Sequence, residues 1–222
     1  MAAYLILGAG RFGRLALKRL AEADPGASFT VVDHDGRSLE EAAAMAGDHA
    51  VTLIRAEAVT FLQENLGEDS PWDWIIPMVP VHVAFAWLRQ TRPASSDWQI
   101  MEVPEAVAGS LPLVKRGLQG EMYLSRAAHL CPDDCPEPEP LCPVSGEERS
   151  EPLYEELAGR RLPGYRWLVL PSRQLAPGVG GYSPGLLLSL ARDLSSCREK
   201  LLIATACRCH GVVHALARRR TP

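Results

Sequence analysis

The first 120 residues contain no cysteine, so any thiol chemistry in this 222-residue chain belongs to the second half, which holds all six. Strong charge of either sign is also missing. Lys and Arg number 23 against 27 Asp and Glu, a formal charge of −4 with a pI near 5.9. That balance argues against broad electrostatic binding to nucleic acid or to an anionic membrane. No apolar run reaches the roughly 18 to 20 residues of a membrane span, and no basic-then-apolar signal pattern opens the sequence. A cytoplasmic protein is expected, its cysteines present as reduced thiols, metal ligands or redox groups. Internal repeats, a Ser-His-Asp set and a Tyr-x-x-x-Lys pair are lacking as well, so no catalytic residue is assigned.

What is present reads as globular: 47% apolar and 23% charged residues, in a length that admits one large domain or two small ones. The halves differ. Residues 1–120 carry a net −5 and residues 121–222 a net +1. Nine carboxylates crowd residues 133–156 against a single cation, Arg149, and 20 of the 23 cations are arginine. Arginine suits phosphate or carboxylate recognition, although codon composition explains the bias more simply.

The first half alternates strand and helix signals. Apolar, β-rich runs fall at residues 4–7, 29–32, 51–54, 74–76 and 98–103. Helical stretches lie between them: a first around Leu15, Leu17 and Leu20, then 38–45 with Ser38 as N-cap, 56–66 and 81–89. The spacing predicts an α/β fold, a Rossmann-like doubly wound parallel sheet, over residues 1–120. Residues 121–222 then form a Cys-rich, metal-binding α/β extension.

The turn after the first strand is Gly8-Ala9-Gly10-Arg11-Phe12-Gly13, a G-x-G-x-x-G match between strand and helix. Gly8 permits the tight turn, Gly10 leaves room for a pyrophosphate, and Gly13 lets helix and strand pack closely. The helix N-terminus offers N–H groups and positive dipole to the phosphates. Asp33 ends the second strand 20 residues after Gly13, where an acid accepts from ribose hydroxyls and repels a 2′-phosphate. NAD(H) is therefore favoured over NADP(H), with Gly8, Gly10, Arg11, Phe12, Gly13 and Asp33 as the binding residues. The alternative is a glycine turn that serves packing alone.

With Val31-Val32-Asp33, this loop resembles the NAD-binding domains of dehydrogenases and, equally, the regulatory nucleotide-binding domains of Trk-type potassium-uptake systems. The resemblance covers roughly residues 3–105 and implies fold and ligand rather than a reaction. The segment Val79-Pro80-Val81-His82 is similar to the fourth-strand loop of many Rossmann dehydrogenases, which implies a place for His82 near substrate; a structural histidine opening a helix is the plainer reading.

Cys131, Cys135 and Cys142 lie within 12 residues, each followed by proline, in a segment whose five prolines exclude helix and inner strand. Cys207 and Cys209, with His210, follow an apolar run at 201–205. Three loop thiols with one of the later pair supply the four sulfurs that zinc or a [4Fe–4S] cluster requires. His210 or His129 in place of a sulfur favours zinc, whereas the Cys-Pro pattern slightly favours iron–sulfur. A redox-active disulfide and inert thiols are the alternatives, and Cys197 is set aside as a non-ligand. A second glycine turn at 178–185 reads either as a backbone anion site or as a plain turn, with Ser183 capping the helix that follows.

Joined together, these features predict an NAD(H)-binding redox protein with a cysteine-ligated centre, leaning to an NAD-dependent oxidoreductase. The alternative is a non-catalytic redox or metal sensor with a structural zinc site. Its partners are expected to be a small-molecule dinucleotide and either a second copy or a redox partner protein.

Overall fold

The computed structural model describes residues 1–91, 98–197 and 199–219. Two compact units result, one of residues 1–87 with 173–188, the other of residues 88–172 with 189–219.

The first unit is built on a parallel sheet of β1 (Ala3–Leu7), β2 (Ser28–Asp33), β3 (Ala50–Arg55) and β4 (Trp74–Pro77), ordered β3-β2-β1-β4. Every residue of β1 from Tyr4 to Leu7 is buried, as expected of a strand covered on both faces. Helix α1 (Arg11–Ala23) buries Ala16, Leu17, Leu20 and Ala21, one stripe at helical spacing, in a core with Ile6, Val31 and Ile76. Helices α2 (Gly36–Ala43), α3 (Ala58–Asn65) and α4 (Val83–Gln90) follow the next three strands in turn.

Two expectations need correction here. Ser38 is not the N-cap of α2. Asp35 is, accepting from the N–H groups of Arg37 and Ser38, while the Ser38 hydroxyl donates to the same carboxylate at 2.8 Å. An ionised acceptor three residues upstream outcompetes a hydroxyl. The run at 98–103 does form a strand, β5 (Trp98–Met101), but it does not extend the parallel sheet.

Residues 173–188 return to the first unit as a hairpin, β9 (Arg173–Ala176) and β10 (Val179–Gly181), and Tyr182 then bridges Ile75 of β4. Helix α6 (Pro184–Ser196) begins where expected, with the Ser183 hydroxyl accepting from the Leu186 N–H. The second glycine turn is thus a hairpin and packing element. A Cβ at Gly181 would lie 2.6 Å from the Ile76 side chain and 3.0 Å from the Ile75 carbonyl.

The second unit is a mixed sheet ordered β6-β7-β12-β11-β8, from β6 (Leu113–Arg116), β7 (Met122–Ser125), β8 (Tyr165–Pro171), β11 (Lys200–Ala206) and β12 (His210–Arg218). Long β12 pairs antiparallel with β11 through residues 211–216, with β7 through residues 210–213 and with β5 through residues 215–218. Helix α5 (Leu153–Gly159) buries Leu153 and Leu157 in a core with Met122, Leu202 and Val213. No described helix is long and apolar enough to cross a membrane.

Candidate functional sites

Each unit carries one candidate site. In the first, the Gly8–Gly13 loop joins β1 to α1 with a division of labour among its glycines. Gly8 has φ +104, a backbone conformation that a side chain disfavours, and its N–H donates to the Val32 carbonyl at 2.7 Å. A Cβ at Gly13 would fall 1.8 Å from the Gly8 carbonyl oxygen, so that position serves packing. At Gly10 a Cβ would meet nothing within 4 Å, which leaves open space where a ligand's phosphates would approach.

Helix α1 starts without a side-chain cap and without an acidic residue in its first turn. By contrast, Asp35 caps α2 and Glu57 caps α3. No residue of α1 itself therefore compensates its positive end at the glycine loop, which favours an anion there. Arg11 and Phe12 project at this end. The guanidinium stacks 5.3 Å from the Phe12 ring centre, and Phe12 is half exposed.

Asp33 stands at the C-terminal end of β2, as its spacing predicts. One carboxylate oxygen accepts from the Ala9 N–H at 2.6 Å and the other from the Asp35 N–H at 2.9 Å. It thereby fixes the loop; Oδ1 also lies 3.2 Å from His34 Nδ1, and Oδ2, bonded to Ala9, keeps a second lone pair for a ribose hydroxyl. The sequence reading missed this bracing role. A loop N–H 24 residues away leaves no local signature. His82 is placed by stacking on Phe85, ring centres 5.9 Å apart, at the start of α4.

In the second unit the cysteine loop, residues 126–152, is tied at both ends to the turn between β11 and β12. The Arg126 N–H donates to the Cys209 carbonyl and the Leu153 N–H to the Arg208 carbonyl, both at 2.9 Å. Arg208 reaches the Arg149 and Ser150 carbonyls at 3.1 Å. These bonds bring Cys131, Cys135 and Cys142 to Cys207 and Cys209, along with His129 and His210. The His210 ring lies between two thiols, Nε2 3.6 Å from the Cys131 sulfur and Nδ1 3.9 Å from the Cys207 sulfur. His129 Nε2 is 4.0 Å from the Cys142 sulfur. Cys197 lies away from this group, buried after α6.

The thiols' electrostatics reflect this crowding. Burial pushes the Cys209 thiol up to about 11, with neighbouring Cys207, Cys131 and Cys142 adding to it. Burial also raises Cys131, Cys135 and Cys207, each but Cys207 further raised by the other sulfurs. Cys142 goes the other way, down to about 6, because the Ser145 hydroxyl and the N–H groups of Ser145 and Val144 bond its sulfur. The Cys207 sulfur likewise accepts from the His210 N–H at 3.3 Å. Two turns thus aim backbone donors at sulfur, an arrangement that stabilises thiolate. Among the described residues no group of three or more His, Cys, Asp or Glu side chains already stands in metal-holding geometry.

Comparison with known proteins bears on both halves. Residues 4–66 match the model of the TrkA-N domain, so the Rossmann-type nucleotide-binding reading holds for that segment. Residues 82–219 match the family model described as "Uncharacterized protein, C-terminal domain". An "Uncharacterized protein" of Archaeoglobus fulgidus is 29% identical over 231 aligned positions, covering 96% of this chain and 99% of its own length. No solved structure matches the chain.

Proposed function

The chain belongs to the family described as "Uncharacterized protein, C-terminal domain", here preceded by a TrkA-N domain, and from that premise we propose an NAD(H)-binding redox protein with a thiolate-ligated metal centre. The observation that carries the nucleotide half is the glycine loop itself. Its one spacious glycine, Gly10, lies at the uncapped N-terminus of α1, with Asp33 bonded to the same loop. Arg11 and Phe12 flank the phosphates in this reading, and Asp33 selects NAD(H) over NADP(H) through the ribose. In this reading the dinucleotide is held within residues 1–120 and the metal within residues 121–222, a functional division that differs from the compact units of the fold.

The metal half rests on the gathering of Cys131, Cys135, Cys142, Cys207 and Cys209, a soft donor set that suits iron–sulfur or zinc. An iron–sulfur centre would supply electron transfer to an oxidoreductase in the cytoplasm. A second reading, a regulatory sensor with structural zinc, is favoured by His210. Its Nε2 stands 3.6 Å from the Cys131 sulfur, about the edge between nitrogen and sulfur ligands of one tetrahedral zinc. Calorimetric titration of the full chain with NADH and NADPH tests the nucleotide assignment. Equal affinity for both, or none for NADH, would overturn it.

A further inference from the structure

Arg149, the one cation among the nine carboxylates of residues 133–156, is 4% exposed, one of three polar or charged side chains buried in the described structure. Burying a guanidinium is costly unless charge nearby offsets it. Its Nη2 donates to a Glu147 oxygen at 2.8 Å, but that carboxylate is 68% exposed and well solvated. Its Nε is buried with no hydrogen-bond partner. One screened carboxylate is poor compensation for this position.

The backbone explains why Arg149 stays where it is. Its N–H donates to the Pro140 carbonyl at 2.8 Å, and Leu141 bridges Glu148. Arg149 therefore belongs to the hairpin whose turn holds Cys142. Its carbonyl accepts from Arg208, which sits between Cys207 and Cys209 and whose own Nε is also buried without a partner. Electrostatically, Arg149 acts on Cys131, Cys142 and Cys209 and on His210, members of both halves of the thiol group.

We propose that Arg149 is the counter-ion of the metal centre, and that it selects an anionic centre of three or four thiolates over a neutral set of two thiolates and two imidazoles. The inference rests on the thiolate-centre reading above. A divalent ion with four thiolates carries −2, as does a [4Fe–4S]²⁺ cluster with four, and three thiolates with one imidazole leave −1 on zinc. Each needs positive charge when buried. The two-thiolate, two-imidazole set is neutral and would leave Arg149 without its opposite charge. Arg149 is a positioning residue in this account: it touches sulfur's surroundings and holds no metal itself.

Anaerobic titration of the chelator-treated full chain with Co(II) tests this, since thiolate-to-cobalt charge transfer grows with the number of sulfurs bound. The wild type is expected to take one ion with an intensity of at least three thiolates. Arg149→Met is expected to bind Co(II) about 10- to 100-fold more weakly, the range for loss of an outer-shell partner. Arg149→Lys, which keeps the charge and loses the fork, should recover most of that loss. Glu147→Gln, at an exposed position, should tighten binding by releasing Arg149 from its competing carboxylate. Equal affinity in wild type and Arg149→Met, or no recovery with lysine, would overturn the proposal. If Arg149→Met does not fold, Glu147→Gln decides alone, and unchanged or weaker binding overturns it. A wild type that binds no Co(II) sinks the metal centre itself, a failure distinct from that of Arg149.

Discussion

Replacing Gly10 by alanine separates the ligand-binding role of the glycine loop from its structural one. Gly10 has φ −63 and ψ −170, a conformation open to alanine, and the new Cβ would meet no atom within 4 Å. Glycine-to-alanine changes at compatible backbone stabilise by about 0.4–1 kcal/mol through the unfolded chain. The melting temperature should therefore hold or rise by up to about 4 °C for a chain of this size. The same methyl group fills the space assigned to the pyrophosphate, so NADH should bind at least about tenfold more weakly, a cost of about 1.4 kcal/mol. Gly13→Ala is the converse. Its Cβ would lie 1.8 Å from the Gly8 carbonyl oxygen, and the overpacking should cost about 1–3 kcal/mol of stability. Calorimetric titration with NADH and a thermal melt on each variant read both effects. If Gly10→Ala binds NADH as the wild type does while remaining folded, the reasoning is refuted.

Asp33→Asn keeps an acceptor for the Ala9 N–H but removes the charge; the preference for NADH over NADPH should shrink, as paired titrations would show. Cys135→Ser should lower the metal-to-protein ratio, measured by elemental analysis, while NADH affinity stays at the wild-type value. Burial, joined by neighbouring thiols at all but Cys207, holds Cys131, Cys135, Cys207 and Cys209 protonated near neutrality, so metal displaces protons there. Affinity should accordingly rise with pH from about 6 through 9, because these thiols hold a competing proton over the whole of that range. Buried His214 on β12 has its imidazole pushed down to about 4, chiefly by loss of hydration. The unfolded chain takes up its proton first, so stability should fall as pH drops from about 6.5 toward 4, by at most about 1.4 kcal/mol per pH unit, in denaturant titrations. His214→Gln should flatten that slope.

The features legible in the sequence are those written locally. Four strands, their helices and the glycine turn follow from short-range patterns, and G-x-G-x-x-G between a strand and a helix carries its geometry with it. Strand identity at residues 98–101 was equally local, but its partner was not. Pairing with residues 215–218 is a contact across more than 100 positions. The return of residues 173–188 to the first unit is hidden for the same reason, since contacts distant in sequence reveal it: the Ile75–Tyr182 bridge, the packing at Gly181, the Arg19 bond to the Pro177 carbonyl, and Ala176 and Val179 in the core beside α1. Ser38 misled because capping preference is ranked by residue, while the nearby carboxylate of Asp35 has the stronger acceptor. The cysteines were legible as a set because their clustering and prolines are compositional. The bonds that tie loop to hairpin, through Arg126, Leu153 and Arg208, are not. Arg149 did leave a trace, a lone cation in an acidic segment, but only its burial gives that trace meaning.

The most direct test of the account is anaerobic purification of the full chain, followed by iron, zinc and sulfide analysis and a visible spectrum. The account predicts one thiolate-bound centre per chain, brown with matching iron and sulfide if it is iron–sulfur, colourless with one zinc if it is not. A protein free of iron and zinc, with Cys131, Cys135, Cys142, Cys207 and Cys209 all open to thiol reagents on unfolding and no metal released, would contradict it.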